Sequence, residues 1–204
     1  MFVLTVDQDA STTRGDLVPE LLTTMAPLTA ALPGVLRPFE RTVGDEVQAV
    51  LRDADDLTTV TLALLRIGGW SIGIGIGPVH EPLPASSRAA SGEAFVRARA
   101  AVERAKGRGS AAPVAVEAGA GETGARGREA EAVLRLLGGV IARRSDAGWE
   151  AIELVGAGGL RQKDVAARLK ISEQAVSQRL RTALWSEEVA VRPVVARLLA
   201  EGDR

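Results

Sequence analysis

Trp70-Ser71-Ile72-Gly73-Ile74-Gly75-Ile76-Gly77 is the stretch whose reading decides the fold. Trp70, Ile72, Ile74 and Ile76 fall on one side of a strict alternation, and Ser71, Gly73, Gly75 and Gly77 on the other. A period of two marks a strand, here with one strongly apolar face. The glycines lie within the strand instead of opening a helix, so they fail the context required of a dinucleotide-binding turn. They leave the second face bare, where a helix, a ligand or a second subunit can approach closely; packing is the plainer use.

Upstream, Phe2–Val6 (FVLTV) reads as a buried strand and Asp16–Ala31 as a helix ended by Pro33-Gly34. Val35–Arg41 and Glu46–Leu51 flank Val43-Gly44-Asp45 and read as a hairpin. Asp55 or Asp56 caps a further helix through Leu57, Leu62 and Leu65, which Gly68-Gly69 stops. Downstream come a loop with Pro78, Pro82 and Pro84, a helix over Gly92–Lys106 and a short strand Pro113–Glu117. The order βαββαβαβ predicts a ferredoxin-like sandwich, a split βαβ unit with its helices on one sheet face. Residues 118–128 (AGAGETGARGR) lack periodicity and read as a linker. Every later segment reads as helix: Glu129–Arg144, Ala147–Val155, Gln162–Leu169, Ser172–Trp185 and Val189–Glu201. The expected organisation is α+β, with a ferredoxin-like domain over 1–117, a linker over 118–128 and an all-helical domain over 129–204.

Composition bounds what such a chain can do. Its 204 residues are 46% hydrophobic and 25% charged, the balance of a folding chain. Cysteine is absent, which excludes disulfide scaffolds, thiolate catalysis and thiolate zinc sites. His80 is the single histidine, and its Pro-rich loop suits a surface residue better than a catalyst. Aromatics make up 3%, too few for a base-stacking platform, and Trp149 and Trp185 fall at core spacing in helices. The first residues carry no basic leader, and no apolar run approaches the roughly 20 residues that span a bilayer. A soluble cytoplasmic protein without a membrane partner is expected.

A net charge of −1 hides an uneven distribution. Residues 1–56 hold ten acids against four arginines, whereas Gly159–Trp185 holds six bases against Asp164 and Glu173. A basic island in a neutral chain is a local footprint for a polyanion, and equally suits a solvated helix face. Within it, Leu160–Trp185 (LRQKDVAARLKISEQAVSQRLRTALW) carries the most specific pattern in the chain. Gln162–Leu169 is a short helix with small Ala166 at a crossing point, Lys170-Ile171 supplies a turn, and Ser172 caps the next helix. Val176, Leu180 and Leu184 face inward, leaving Gln174, Ser177, Gln178 and Arg181 on the outer face. These residue types read base edges or hold phosphates. The segment resembles a helix-turn-helix of the sigma-factor region 4 type, with Lys170 where that motif prefers Gly. The resemblance implies duplex DNA as partner, Lys163, Ser172, Gln174, Ser177, Gln178 and Arg181 as contact residues, and a homodimer on paired half-sites.

Asp7 and Asp9 follow the first strand, and Asp45 and Glu46 sit at the hairpin tip, so the four acids are expected to converge at one sheet end. Convergent carboxylates are how Mg²⁺ and a triphosphate are held. VDQDA, ERTVGDEVQAVL, WSIGIGIGPV and AFVRARAAVERAKGRG together resemble the class III nucleotide cyclase and GGDEF-like fold over residues 2–109. With its helical tail, the chain looks like actinobacterial members of the SatD family. By that resemblance Asp7 and Asp45 are metal ligands, Asp9 or Glu46 auxiliary acids, and a small nucleotide with Mg²⁺ the effector. The chain also departs from the pattern. Val96 stands where cyclases place an Asn, Arg97 or Arg99 fits their Arg in a shifted register, and Val43 replaces a Gly before Asp45. Arg88, Arg97, Arg99, Arg104, Lys106 and Arg108 meet phosphates or solvate a helix. Three readings stand: a DNA-binding regulator with a cyclase-like, non-catalytic sensing or dimerisation domain; a divalent-metal nucleotidyl cyclase with a helical tail; and a protein–protein adaptor.

Overall fold

The computed structural model describes residues 1–107, 112–156 and 158–204, so Arg108 lies outside the described residues. Five strands form one mixed sheet: β1 (Phe2–Gln8), β2 (Val35–Arg41), β3 (Glu46–Leu51), β4 (Trp70–Ile76) and β5 (Val114–Glu117), in the order β2-β3-β1-β4-β5. All pairs are antiparallel except β4–β5. Nine α-helices are seen among the described residues: α1 (Ser11–Arg14), α2 (Val18–Ala31), α3 (Ala54–Ile67), α4 (Glu93–Ala105), α5 (Gly121–Ile141), α6 (Asp146–Val155), α7 (Gln162–Leu169), α8 (Glu173–Thr182) and α9 (Trp185–Gly202). The architecture is mixed α/β with a helical C-terminal region.

Alternation sorts the sheet residues. Phe2, Leu4, Val6, Val47, Ala49, Leu51, Ile72, Ile74, Ile76, Val114 and Val116 share one apolar core with residues of α2, α3, α5 and α9. The other face carries Val3, Thr5, Gly73, Gly75 and Ala115, and α4 lies across it. Helices therefore cover both faces, where the sequence predicts one. The physical reason lies in β4. A methyl on Gly73 would run into the backbone of Ala98 and Val102, and one on Gly75 into that of Ala94 and Ala98. Ala94, Ala98 and Ala101 complete the contact from the helix side. The bare face is filled by a helix whose backbone rests on the strand.

Several boundaries shift for identifiable reasons. Asp53, not Asp55 or Asp56, is the N-cap of α3, its carboxylate accepting from the amides of both. Strand β1 runs two residues further than predicted and takes in Asp7. The expected linker is helical from Gly121, and α5 buries Gly124 and Gly127. A Cβ at Gly124 would meet the Gly119 carbonyl, and one at Gly127 would meet Ala118. Glycines chosen for close packing erase the apolar periodicity that betrays a helix. α5 and α9 join the sheet core, while Ala151, Ile152, Val165, Ala166, Val176, Leu180 and Ala183 form a separate core for α6–α8. Leu184 does not face inward: it adopts φ 52°, is 41% exposed, and ends α8 before the chain turns into α9.

The outer edge of β5 is closed by side chains. The Val116 amide donates to Glu131 Oε2 at 2.8 Å, Arg104 Nη2 donates to the Val116 carbonyl at 2.9 Å, and Arg135 Nε to that of Val114 at 3.0 Å. Glu131 is buried and ion-paired to both arginines.

The helix–strand contact generates a first prediction. Gly75→Ala is expected to destabilise the fold by about 3 kcal/mol, the upper end of overpacking costs, because backbone on both sides must separate. Urea unfolding followed by far-UV circular dichroism measures it; a loss under about 1 kcal/mol contradicts the packing described.

Candidate functional site

Two regions hold the residues singled out by sequence. In the first, Asp7 stands opposite Glu46 on β3 and Ser71 on β4. Its Oδ2 lies 3.1 Å from Lys106 Nζ, at the end of α4. Glu46 accepts from Thr42 Oγ1 at 2.5 Å and from Arg99 Nη2 at 3.2 Å. Asp9 accepts from Ser71 Oγ at 2.7 Å. Burial pushes the Asp7 carboxyl up, Lys106 pulls it back, and the charges of Asp45 and Glu46 add to the rise, so it ends above the ordinary value of 3.8. Burial lowers Lys106, but hydrogen bonds and charge from Glu103 and Asp7 prevail and hold it above its usual range.

The structure thus brings Asp7, Asp45 and Glu46 close enough to repel, and ties Asp9 to Ser71, the β4 partner of Asp7. Lys106 and Arg99 already neutralise two of them. Among the described residues no group of three or more carboxylates and imidazoles is disposed to hold a metal ion. The donor set does not fit a resident metal as it stands. Val96 is 71% exposed, and Arg97 is spent on Glu93 and the Ile76 carbonyl, so of the two candidate arginines Arg99 is the one facing the cluster.

Glu40 was not legible as a structural residue. Its Oε1 accepts from Ser86 Oγ and Ser87 Oγ, both at 2.6 Å, and from the Arg88 amide at 2.8 Å. Burial raises this carboxyl, yet the hydrogen bonds prevail and hold it below the usual range. It pins the 3₁₀ turn Ser87–Ala89 over β2. His80 is exposed, with Ser91 Oγ 3.0 Å from Nδ1.

The second region is α7, its turn and α8. Lys170 takes the left-handed conformation (φ 55°, ψ 42°), and the Ile171 amide bonds back to the Ala166 carbonyl at 3.0 Å. A lysine there costs about 1 kcal/mol against Gly. Ser172 Oγ accepts from the Ala175 amide at 3.1 Å, capping α8. Val165, Ala166, Val176 and Leu180 are buried against Ala151 and Ile152 of α6. Lys163, Arg168, Lys170, Ser172, Gln174, Gln178 and Arg181 are exposed, and Ser177 is half-buried. Arg179 pairs with Glu150 at 2.8 Å, whereas among the described residues Lys163, Arg168, Lys170 and Arg181 make no ion pair. Arg181 instead donates to Gln178 Oε1 at 3.1 Å. Trp149 and Trp185 are half-buried at the margin of this core.

Comparison with family models, with curated proteins and with solved structures finds no match. Among the described residues no helix is long and apolar enough to cross a membrane.

The Asp7 environment predicts a stability change with a definite sign. The unfolded chain releases this proton at lower pH than the folded chain, so between the two values it binds fewer protons. Stability therefore falls as pH rises through that window, and the penalty is complete above it. Asp7→Asn is expected to raise the thermal midpoint at pH 7, with the gain disappearing below the ordinary carboxyl value. Midpoints measured from pH 3 to 8 check this; a midpoint lowered at pH 7 contradicts it.

Proposed function

We propose that the protein is a DNA-binding regulator that docks through a helix-turn-helix formed by α7 and α8. The observation that carries this reading is the division of α7–α8 into two faces. Val165, Ala166, Val176 and Leu180 are buried, while Lys163, Arg168, Lys170 and Arg181 project into solvent without ion partners among the described residues, beside Gln174 and Gln178. Four cations free of carboxylates are a phosphate-binding surface, and amide side chains near a helix N-terminus suit base edges. The Ser172 cap leaves the remaining first-turn amides of α8 directed at an approaching phosphate. One short helix offers limited contact, so we place two copies on paired half-sites, as a homodimer.

In the same reading the sheet body is a ferredoxin-like, cyclase-like domain that senses or dimerises, in keeping with the SatD resemblance. A nucleotide arriving with its own Mg²⁺ is the effector class that suits it. Arg99 and Lys106 offer partners for phosphates, and a cation would relieve the repulsion around Asp7. Turnover is not part of this proposal, because Val96 brings no hydrogen-bond donor to the position a cyclase gives to Asn.

The test is a titration of fluorescent duplexes at several salt concentrations, on a preferred site selected from random sequence. Arg181→Ala is expected to weaken binding to preferred and random duplexes about equally and to lower the salt slope by about 1. Gln178→Ala should cost about 1–3 kcal/mol on the preferred site and little on random DNA. Val176→Asp buries a charge and should unfold α6–α8, which controls for folding. Absence of binding by the folded wild-type chain at low salt overturns the proposal in favour of an adaptor.

A further inference from the structure

Helices α6–α8 leave and rejoin the sheet body at one neck. α5 ends at Ile141, α9 begins at Trp185, and both pack into the sheet core. Arg144, just past the end of α5, meets Glu188 in the first turn of α9, with Nη2 and Oε2 2.6 Å apart. The two side chains are 1% and 3% exposed. Arg144 Nε donates to the Ala183 carbonyl at the end of α8 at 2.8 Å, and its guanidinium lies 4.8 Å from the Trp149 ring centre on α6. Arg192 holds Glu188 Oε1 from the other side, with Nε at 3.0 Å. One arginine thus touches α6, the end of α8 and the start of α9.

This pair is poorly suited to being a source of stability. Among the described residues neither Nη atom of Arg144 nor Oε2 of Glu188 finds an aligned hydrogen-bond partner. Removing two ions from water then costs about what their attraction returns, whereas losing Glu188 strands the buried Arg144 and losing Arg144 leaves Glu188 to Arg192. Beyond the neck, the unit faces the body across a cleft of about 500 Å³ lined by Leu62, Arg66, Trp149, Glu153, Trp185 and Val189. Across it run the partly exposed Arg66–Glu153 pair and Trp149, which packs against the sheet core with Arg66 4.2 Å above its ring. The second neck segment contains Leu184 in the left-handed conformation, a bent joint without a glycine.

We infer that Arg144 and Glu188 form an orientation latch that fixes the angle at which α8 is carried on the sheet body. Released, the α6–α8 unit swings over the cleft on the Ala142–Ser145 and Leu184 segments, and its DNA face turns with it. The inference rests on the proposed role of α8 and adds its regulation: whatever alters the body around α5 and α9 reaches the DNA face through these two residues. They are positioning residues and do not themselves face DNA.

The chain has no cysteine, so spin labels placed at Thr24→Cys on α2 and Ala167→Cys on α7, both exposed, report the distance between body and unit without interference. E188L alone leaves the buried Arg144 charge unpaired and should lower the thermal midpoint by roughly 10 °C, whereas R144M leaves Glu188 held by Arg192 and should cost less. The R144M/E188L pair should lose less than about 4 °C, yet broaden the label–label distance distribution at least two-fold. It should also weaken binding to the preferred DNA site about ten-fold. A double variant as unstable as E188L alone, or one whose distance distribution stays as narrow as the wild type's, overturns the latch. So does a wild type that is already broad. The distance measurement needs no DNA, so a chain that ignores DNA defeats the proposed function and leaves this result standing.

Discussion

The contact on which the rest depends is backbone against backbone, where α4 rests on β4 at Gly73 and Gly75. It admits no side chain on the strand, and the helix brings to it the backbone of Ala94, Ala98 and Val102. The helix is therefore fixed in height and register above the sheet. Arg99 and Lys106 belong to α4 or its last turn, so this contact also decides that they reach Glu46 and Asp7. Had the strand carried valines, α4 would stand off by a side-chain layer and the two ion pairs would part. The electrostatics of the acidic sheet end are thus a product of steric fit several residues away.

Much of the sheet was legible because strand signals are local. The hairpin Val35–Arg41 and Glu46–Leu51 and the strand Trp70–Ile76 stand where alternation puts them. What escaped was tertiary. Nothing in the alternation says which face α4 takes, since period two marks two faces without naming their occupants. The start of α5 escaped because Gly121, Gly124 and Gly127 remove the apolar repeat while serving the packing that makes it a helix, whereas the part from Glu129 on is read as helix from its spacing. The end of α8 escaped because an apolar residue at the right spacing, Leu184, adopts a left-handed turn instead of continuing inward.

The candidate sites divide along the same line. Ser172 as a cap, Lys170 in the turn, and Ala166, Val176 and Leu180 underneath are local features, and they stand as the spacing predicts. The acids were placed near one another correctly for Asp7, Asp45 and Glu46, through strand pairing. Their partners were not foreseeable, because Arg99 and Lys106 arrive from a helix some fifty to a hundred positions along the chain. Arg144, Glu188 and Glu131 look like ordinary surface charges in a helical repeat. Only the fold reveals that they are buried, because their neighbours come from elements far apart in sequence.

The side-chain closure of β5 has a consequence for the molecule among its own copies. An open strand edge offers alternating donors and acceptors to any extended chain that drifts against it, and growth by strand addition begins there. Here an incoming segment would find the Val116 amide already bonded to Glu131 and the Val114 and Val116 carbonyls already held by Arg135 and Arg104. To pair, it would have to displace a buried carboxylate and strand two guanidiniums. At the opposite margin, Pro38 and the two register shifts of β2 interrupt the ladder an intruder would need. Both margins of the sheet are thus closed to strand addition, one by buried side chains and the other by a proline and a broken register.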